Sequence, residues 1–378
     1  MAKLVFISHE PLTQYLYHLF YMDEIYKAGF EISYWDCSEI VWKGLSLPDS
    51  LTESFIRKIK SLDEFSLYIN QEDIRNTIFS VELDKDTKSL LLYKILSQKN
   101  CCTVRFRLFE NCVLPITLED IFRSIKSGKI LIDVKNRITN ILRNRKLNRL
   151  YSDNGIKHYD VIFSPTQSGT VYINHPDYDS CLTKEIPKII PEINYAVYLD
   201  NYFPYHPDII KNNPNIIIDT KVHYDELNAL FCEIETKFNL KVIIAAHPKA
   251  DYKDNEFQGR VIVKYKTQEL VRNASLVLLH SSNAIAFAIT YEKPFMFIST
   301  SQYKLAVKEY NRMKRLSSYF KAPIIKLPQA NRLLKRWERV PQTLCDKYKY
   351  TFLTKPEIEN VHNVNIIIPC LSKLVKMI

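Results

Sequence analysis

The sequence predicts an α/β protein built from two Rossmann-like domains, on three observations. Its 378 residues exceed the usual size of one domain. Short apolar runs alternate with stretches of helical periodicity, the pattern of a parallel sheet covered by helices on both faces. The chain also opens strand–helix–strand, with Gly29 at the end of the helix, as a βαβ unit does.

The elements follow in order. Residues 3–8 form a compact apolar strand, 13–27 carry apolar side chains at helical spacing, and 31–37 form the second strand. Between 50 and 150 the chain is mostly helical or irregular, with strand candidates at 78–83 and 103–109. A buried strand at 159–165 ends in the polar loop 166–170 and closes the first domain. Residues 174–194, rich in Pro and Asp, have the composition of an interdomain linker. The second domain contains strands at 195–199, 241–246, 260–263, 275–279, 295–298 and 323–327. Its helices lie at 223–238, 267–273, from 282 onward, and at 303–319. The expected division is 1–185, 186–340, and a helical segment 341–378 packing back on the first domain.

Composition narrows the function. Hydrophobic residues make up 46% of the chain and charged residues 25%, enough apolar area for two cores. The most apolar window, 274–291, is interrupted by His280, Ser281, Ser282 and Asn283, which a bilayer core would penalise. The opening apolar run stops at His9 and Glu10, too short for a signal peptide. The eight cysteines include no Cys-x-x-Cys spacing, which argues against a structural zinc site or a disulfide framework and for the reducing cytoplasm. Six glycines form neither a dinucleotide fingerprint nor a P-loop, which excludes those two nucleotide-binding classes.

A net charge of +10 favours a polyanionic neighbour. The basic residues gather in two segments, Lys135, Arg137, Arg143, Arg145, Lys146 and Arg149, then Arg332, Lys335, Arg336 and Arg339. They read either as two solvated helix faces or as loose attachment to anionic lipid headgroups at the inner face of the cytoplasmic membrane. No recognisable DNA- or RNA-binding motif accompanies them, so nucleic acid is not an expected partner.

Two strand ends carry residues suited to a phosphate. One is His247-Pro248-Lys249, where Pro holds its predecessor extended and lets the imidazole project. The other is His280-Ser281-Ser282-Asn283, ahead of an apolar helix whose first N–H groups can receive an anion. The same residues read more simply as a His at a tight turn, a buried His and a helix cap. In open α/β sheets, ligands collect beyond the carboxyl ends of the strands. A third segment follows the strand 195–199. There Asp200 is placed to take a proton from an acceptor hydroxyl, or to cap a turn, and Tyr202 and His206 stand in an aromatic, Pro-rich loop on the acceptor side. His9 and Glu10, after the first strand, are the alternative source of a base. No acidic metal-binding motif is evident, so neither a metal nor another cofactor is expected.

His247-Pro248 and Ser281-Ser282 resemble the His-Pro and Ser-Ser/Thr motifs of bacterial sialyltransferases and polysialyltransferases of GT-B architecture. Asp200-Asn201 falls near the position of their acidic motif, without its doubled acid and Gly. Residues 267–298 also look like the matching part of capsule Kdo-type and CDP-glycerol transferases. The resemblance covers about the C-terminal half. It implies two Rossmann-like domains facing a central cleft, with Asp200 as base, His247 supporting the nucleotide phosphate and the serines binding it. It further implies an inverting, metal-independent transfer from a nucleotide-activated sugar, such as a CMP-linked nonulosonic acid, to an oligosaccharide or lipid-linked surface glycan. The alternatives are CDP-glycerol or polyol-phosphate transfer, and a non-catalytic glycan-binding or assembly protein of the same fold.

Overall fold

The computed structural model describes residues 1–42, 50–109, 114, 130–183, 187–190, 193–206, 209–210, 216–252, 255–326 and 338–378. The chain divides into two compact units. The first comprises Met1–Glu110, Arg123–Pro176 and Glu357–Ile378, and the second Asn111–Phe122 and Asp177–Pro356.

The first unit is built on strands β1 (Lys3–Ser8), β2 (Glu31–Asp36), β3 (Ile56–Lys58), β4 (Thr77–Glu82), β5 (Cys102–Phe106), β6 (Val161–Ser164) and β7 (Val171–Tyr172). They form one sheet in the order β3-β2-β1-β4-β5-β6-β7, and every pairing is parallel. Both faces are covered, which is why β1 is a continuous apolar run rather than an alternating one. Leu4 and Phe6 enter the core on one face, Val5 and Ile7 the core on the other. The strands β3 and β7 are absent from the sequence reading. They are the two edges of the sheet, three and two residues long, and too short to show a period.

The second unit contains β8 (Tyr195–Leu199), β9 (Lys241–Ala246), β10 (Ile262–Lys264), β11 (Leu276–Leu279), β12 (Phe295–Ser299) and β13 (Ile324–Lys326). Their order is β10-β9-β8-β11-β12-β13, again with parallel pairings throughout. Successive strands step one way from β8 to β10, and the chain then crosses to the other side of β8. The order therefore reverses between β8 and β11, the topological switch point at which such sheets bind ligands. The fold is the expected one: two parallel-sheet, Rossmann-like α/β units.

The linker and C-terminal expectations change in detail. Residues 174–194 do not begin as a linker. Asn174 and His175 are fully buried in the first unit, and the Asn174 N–H donates to Asn363 Oδ1 at 2.6 Å. The Asn174 side chain donates to the carbonyls of Ile358 and Val361. The units part after Pro176. Residues 341–378 likewise divide. Cys345, Tyr348, Phe352 and Leu353 belong to a core of the second unit, whereas the helix Val364–Val375 places Ile367 and Leu371 in a core of the first. Of the second basic segment, Arg332, Lys335 and Arg336 lie outside the described residues, and Arg339 is exposed outside any helix.

Candidate active site

Three neighbouring strand ends in the second unit bring the predicted residues to one edge of its sheet. β8 leads into Asp200–His206, β9 into His247–Lys249, and β11 into His280–Asn283. Because β8 lies between the other two, the strands β9 and β11 that lead to His247 and Ser282 are two strand spacings apart, roughly 10 Å. Asp200 and Asn201 follow directly on the strand between them.

On the β11 side, Tyr303 joins two of the loops. Its hydroxyl receives a hydrogen bond from Asn201 Nδ2 at 3.2 Å and pairs with Ser281 Oγ at 3.0 Å. Ser282 Oγ accepts from the Ala284 N–H at 3.2 Å, which closes a turn ahead of the helix rather than capping it, and its own proton remains available as a donor. The helix that follows spans only Ile285–Thr290, because Ser282–Ala284 form turns rather than a first helical turn. Arg312, from the helix Val307–Tyr319, donates through Nη2 to Asn283 Oδ1. Burial raises the Tyr303 phenol to about 12, against the Ser281 hydrogen bond and the Arg312 charge. A fixed guanidinium thus stands beside the serine loop.

On the β9 side, His247 Nδ1 accepts from the Lys249 N–H at 3.1 Å. That bond assigns the ring proton of the neutral imidazole to Nε2, the nitrogen that can donate to a phosphate. The His206 ring packs edge-on against His247, with centroids 4.7 Å apart. Pro248 and Lys249 are exposed.

Asp200 is 7% exposed. Its Oδ2 accepts from the Tyr252 hydroxyl, and the N–H groups of Tyr202 and Asn201 also reach the carboxylate. Burial outweighs these donors and pushes Asp200 up to about 6. Tyr202 adopts a left-handed backbone, φ 56°, which turns the chain sharply after the carboxylate, and its hydroxyl donates to the Asp251 carbonyl at 3.3 Å.

His280 is fully buried, the simpler of the two readings its sequence position allows. Its Nδ1 donates to the Ile298 carbonyl at 2.5 Å, and its ring stacks on Tyr303 with centroids 4.1 Å apart. Burial holds it down at about 4, so it is neutral at physiological pH.

His9 and Glu10 follow β1 in the first unit, where the strand order also reverses, between β1 and β4. His9 Nε2 lies 3.9 Å from the Glu10 carboxylate, and the ring meets Trp42 edge-on. The Glu10 N–H donates to Ser8 Oγ, and its carbonyl accepts from the Tyr34 hydroxyl. Glu82, which the sequence reading passes over, stands opposite Ser8 in the parallel register. Its Oε1 accepts from Ser80 Oγ at 2.8 Å and from the Phe106 N–H at 3.1 Å. Burial pushes it up to about 7, opposed by the Arg105 charge. Tyr303, Arg312, Tyr252 and Glu82 all lack a motif, and only the fold reveals them. Among the described residues no group of His, Cys, Asp and Glu side chains is arranged to hold a metal ion.

No protein-family description matches the chain, and no curated protein matches it. Among solved structures it is similar to the spinosyn forosaminyltransferase SpnP, at 12% identity, covering 99% of each chain with a TM-score of 0.48. It is also similar to the calicheamicin glycosyltransferase CalG4, at 10% identity, covering 100% of this chain and 98% of that one with a TM-score of 0.48. A third similar structure is the Streptomyces sp. SF2575 glycosyltransferase SsfS6 complexed with thymidine diphosphate. It is 10% identical, covers 99% of this chain and 100% of that one, and has a TM-score of 0.49. At these scores the likeness assigns neither substrate nor chemistry to this chain.

Proposed function

We propose that the protein is a nucleotide-sugar-dependent glycosyltransferase of the GT-B type, with the nucleotide held at the β8/β11 switch point of the second unit. The observation that carries this reading is the gathering of His247, Asn201, Ser281, Ser282 and the Asn283-bound Arg312 at adjacent parallel strand ends. Neutral donors and one cation in that position suit the charge that accumulates on a departing nucleotide. A CMP-linked nonulosonic acid is the proposed donor and a surface oligosaccharide or lipid-linked glycan the acceptor. Asp200, as carboxylate, takes the acceptor proton, and the nucleotide phosphate leaves toward His247 Nε2–H and the serine loop. The acceptor oxygen attacks from the opposite side, which inverts the anomeric centre.

The test is thermal stabilisation by CMP, CDP, UMP, UDP, GDP and thymidine diphosphate, with and without EDTA. A nucleotide at 100 times its dissociation constant should stabilise the fold by roughly 2.7 kcal/mol. The expected result is a shift with the cytidine nucleotides that EDTA leaves unchanged. No shift with any nucleotide defeats the nucleotide site, and abolition by EDTA defeats the metal-independent part. Product analysis with CMP-sugars and CDP-glycerol separates sugar from polyol-phosphate transfer.

Glu82 supports a second assignment of the base. At about 7 its carboxyl sits in the range of an efficient general base, and it lies at the switch point of the first unit. If the acid limb of the pH–rate profile moves in Glu82→Gln and persists in Asp200→Asn, the base is Glu82.

A further inference from the structure

The helix Ile130–Asp153 carries two unlike faces. Near its end it is fastened to the first unit. Tyr151 is buried beside Tyr93, its hydroxyl donates to the Asp86 carbonyl at 2.9 Å, and Leu147 packs on the same core. At 100° per residue, Leu147 and Tyr151 lie roughly 180–220° around the axis from Ile138. Ile138, Ile141, Leu142, Arg145 and Arg149 fall within an arc of roughly 100° on the opposite side. Ile138, Ile141 and Leu142 are 52%, 52% and 57% exposed, an apolar stripe turned away from the core that the helix itself serves.

The charge along this stretch of the helix is of one sign. Arg143, Arg145, Lys146 and Arg149 are exposed, and none has a carboxylate partner among the described residues. The sequence places no acidic residue between Asp133 and Asp153. Three aliphatic side chains flanked by arginines match an interfacial helix, which sinks its apolar face into the acyl boundary and meets lipid phosphates with its basic side chains. A nucleic-acid backbone would satisfy the arginines but leave Ile138, Ile141 and Leu142 in water. Among the described residues no helix is long and apolar enough to cross a membrane, so the contact is with a surface.

We propose that this face, centred on Ile138, Ile141, Leu142, Arg145 and Arg149, docks the protein on an anionic lipid surface. The proposal does not rest on the glycosyltransferase reading and is read out without turnover.

The experiment is co-sedimentation of the full chain with vesicles of phosphatidylcholine alone or with phosphatidylglycerol, at low and high salt. Binding is expected only with phosphatidylglycerol and should weaken as salt rises. The double variant Arg145→Gln/Arg149→Gln should bind about 25-fold more weakly, at about fivefold per basic side chain. The triple variant Ile138→Ser/Ile141→Ser/Leu142→Ser should lose about a hundredfold or more. Circular dichroism melts check that both variants fold; if the triple variant does not, the arginine pair alone decides. Absent binding to phosphatidylglycerol vesicles, equal binding to phosphatidylcholine, or unchanged binding of the folded variants overturns the proposal. So does retention on single-stranded RNA or duplex DNA without retention on vesicles.

Discussion

Asp200→Asn is expected to lower turnover by about 10²-fold or more while leaving nucleotide affinity nearly unchanged. The amide keeps an acceptor for the Tyr252 hydroxyl but cannot take a proton from the acceptor sugar. In the wild type the rate should rise with pH through about 6 and level off above, because only the carboxylate is a base. The same group gives a stability signature of known sign. Its native value lies above the ordinary 3.8, so the native state favours the protonated acid. Stability from this site is fully present below 3.8 and is lost as pH rises toward 6, an interval equivalent to about 3 kcal/mol. Equilibrium denaturation between pH 4 and 7 should therefore show a fall that Asp200→Asn reduces but does not abolish, because burial also raises Glu82 and Asp177 into this interval. Full activity of the variant would reduce Asp200 to a loop anchor.

Arg312→Gln is expected to weaken nucleotide binding roughly 10–100-fold, the worth of about 1.5–3 kcal/mol for hydrogen bonds to a charged group. Glutamine can still donate to Asn283, so the loop keeps its shape while the positive charge is gone. Isothermal titration measures the loss, and a parallel melt checks the fold. Unchanged affinity with a lowered melting temperature would make Arg312 a brace for the serine loop and nothing more.

Much of this architecture was legible because the central strands are buried on both faces. β8 is Tyr-Ala-Val-Tyr-Leu with every side chain inside, and such a run between turn residues has no other good reading. The tips His247-Pro248 and Ser281-Ser282-Asn283 were equally legible, since each follows directly on its strand. What escaped came from elsewhere in the chain. Tyr303 reaches Asn201 across 102 residues, Tyr252 reaches Asp200 across 52, and Arg312 reaches Asn283 across 29. Each is an isolated side chain whose meaning depends on packing, with no local pattern to announce it. The strand pattern already favours the buried reading of His280. This residue continues the alternation of Leu278, which faces the same core as Tyr198, and so points inward. Glu82 was invisible for another reason: only the register of β4 against β1 sets it beside Ser8.

The helix Val364–Val375 completes a core whose other walls are made by the first 176 residues. Those walls leave the ribosome before Ile367 and Leu371 do. The usual N-terminus-first order is thereby inverted. The second unit has all its own parts before this helix is made, whereas the first must wait, unfinished, for the turns of Val364–Val375 to emerge. A stop codon just ahead of Val364 would thus strand the first unit rather than the second.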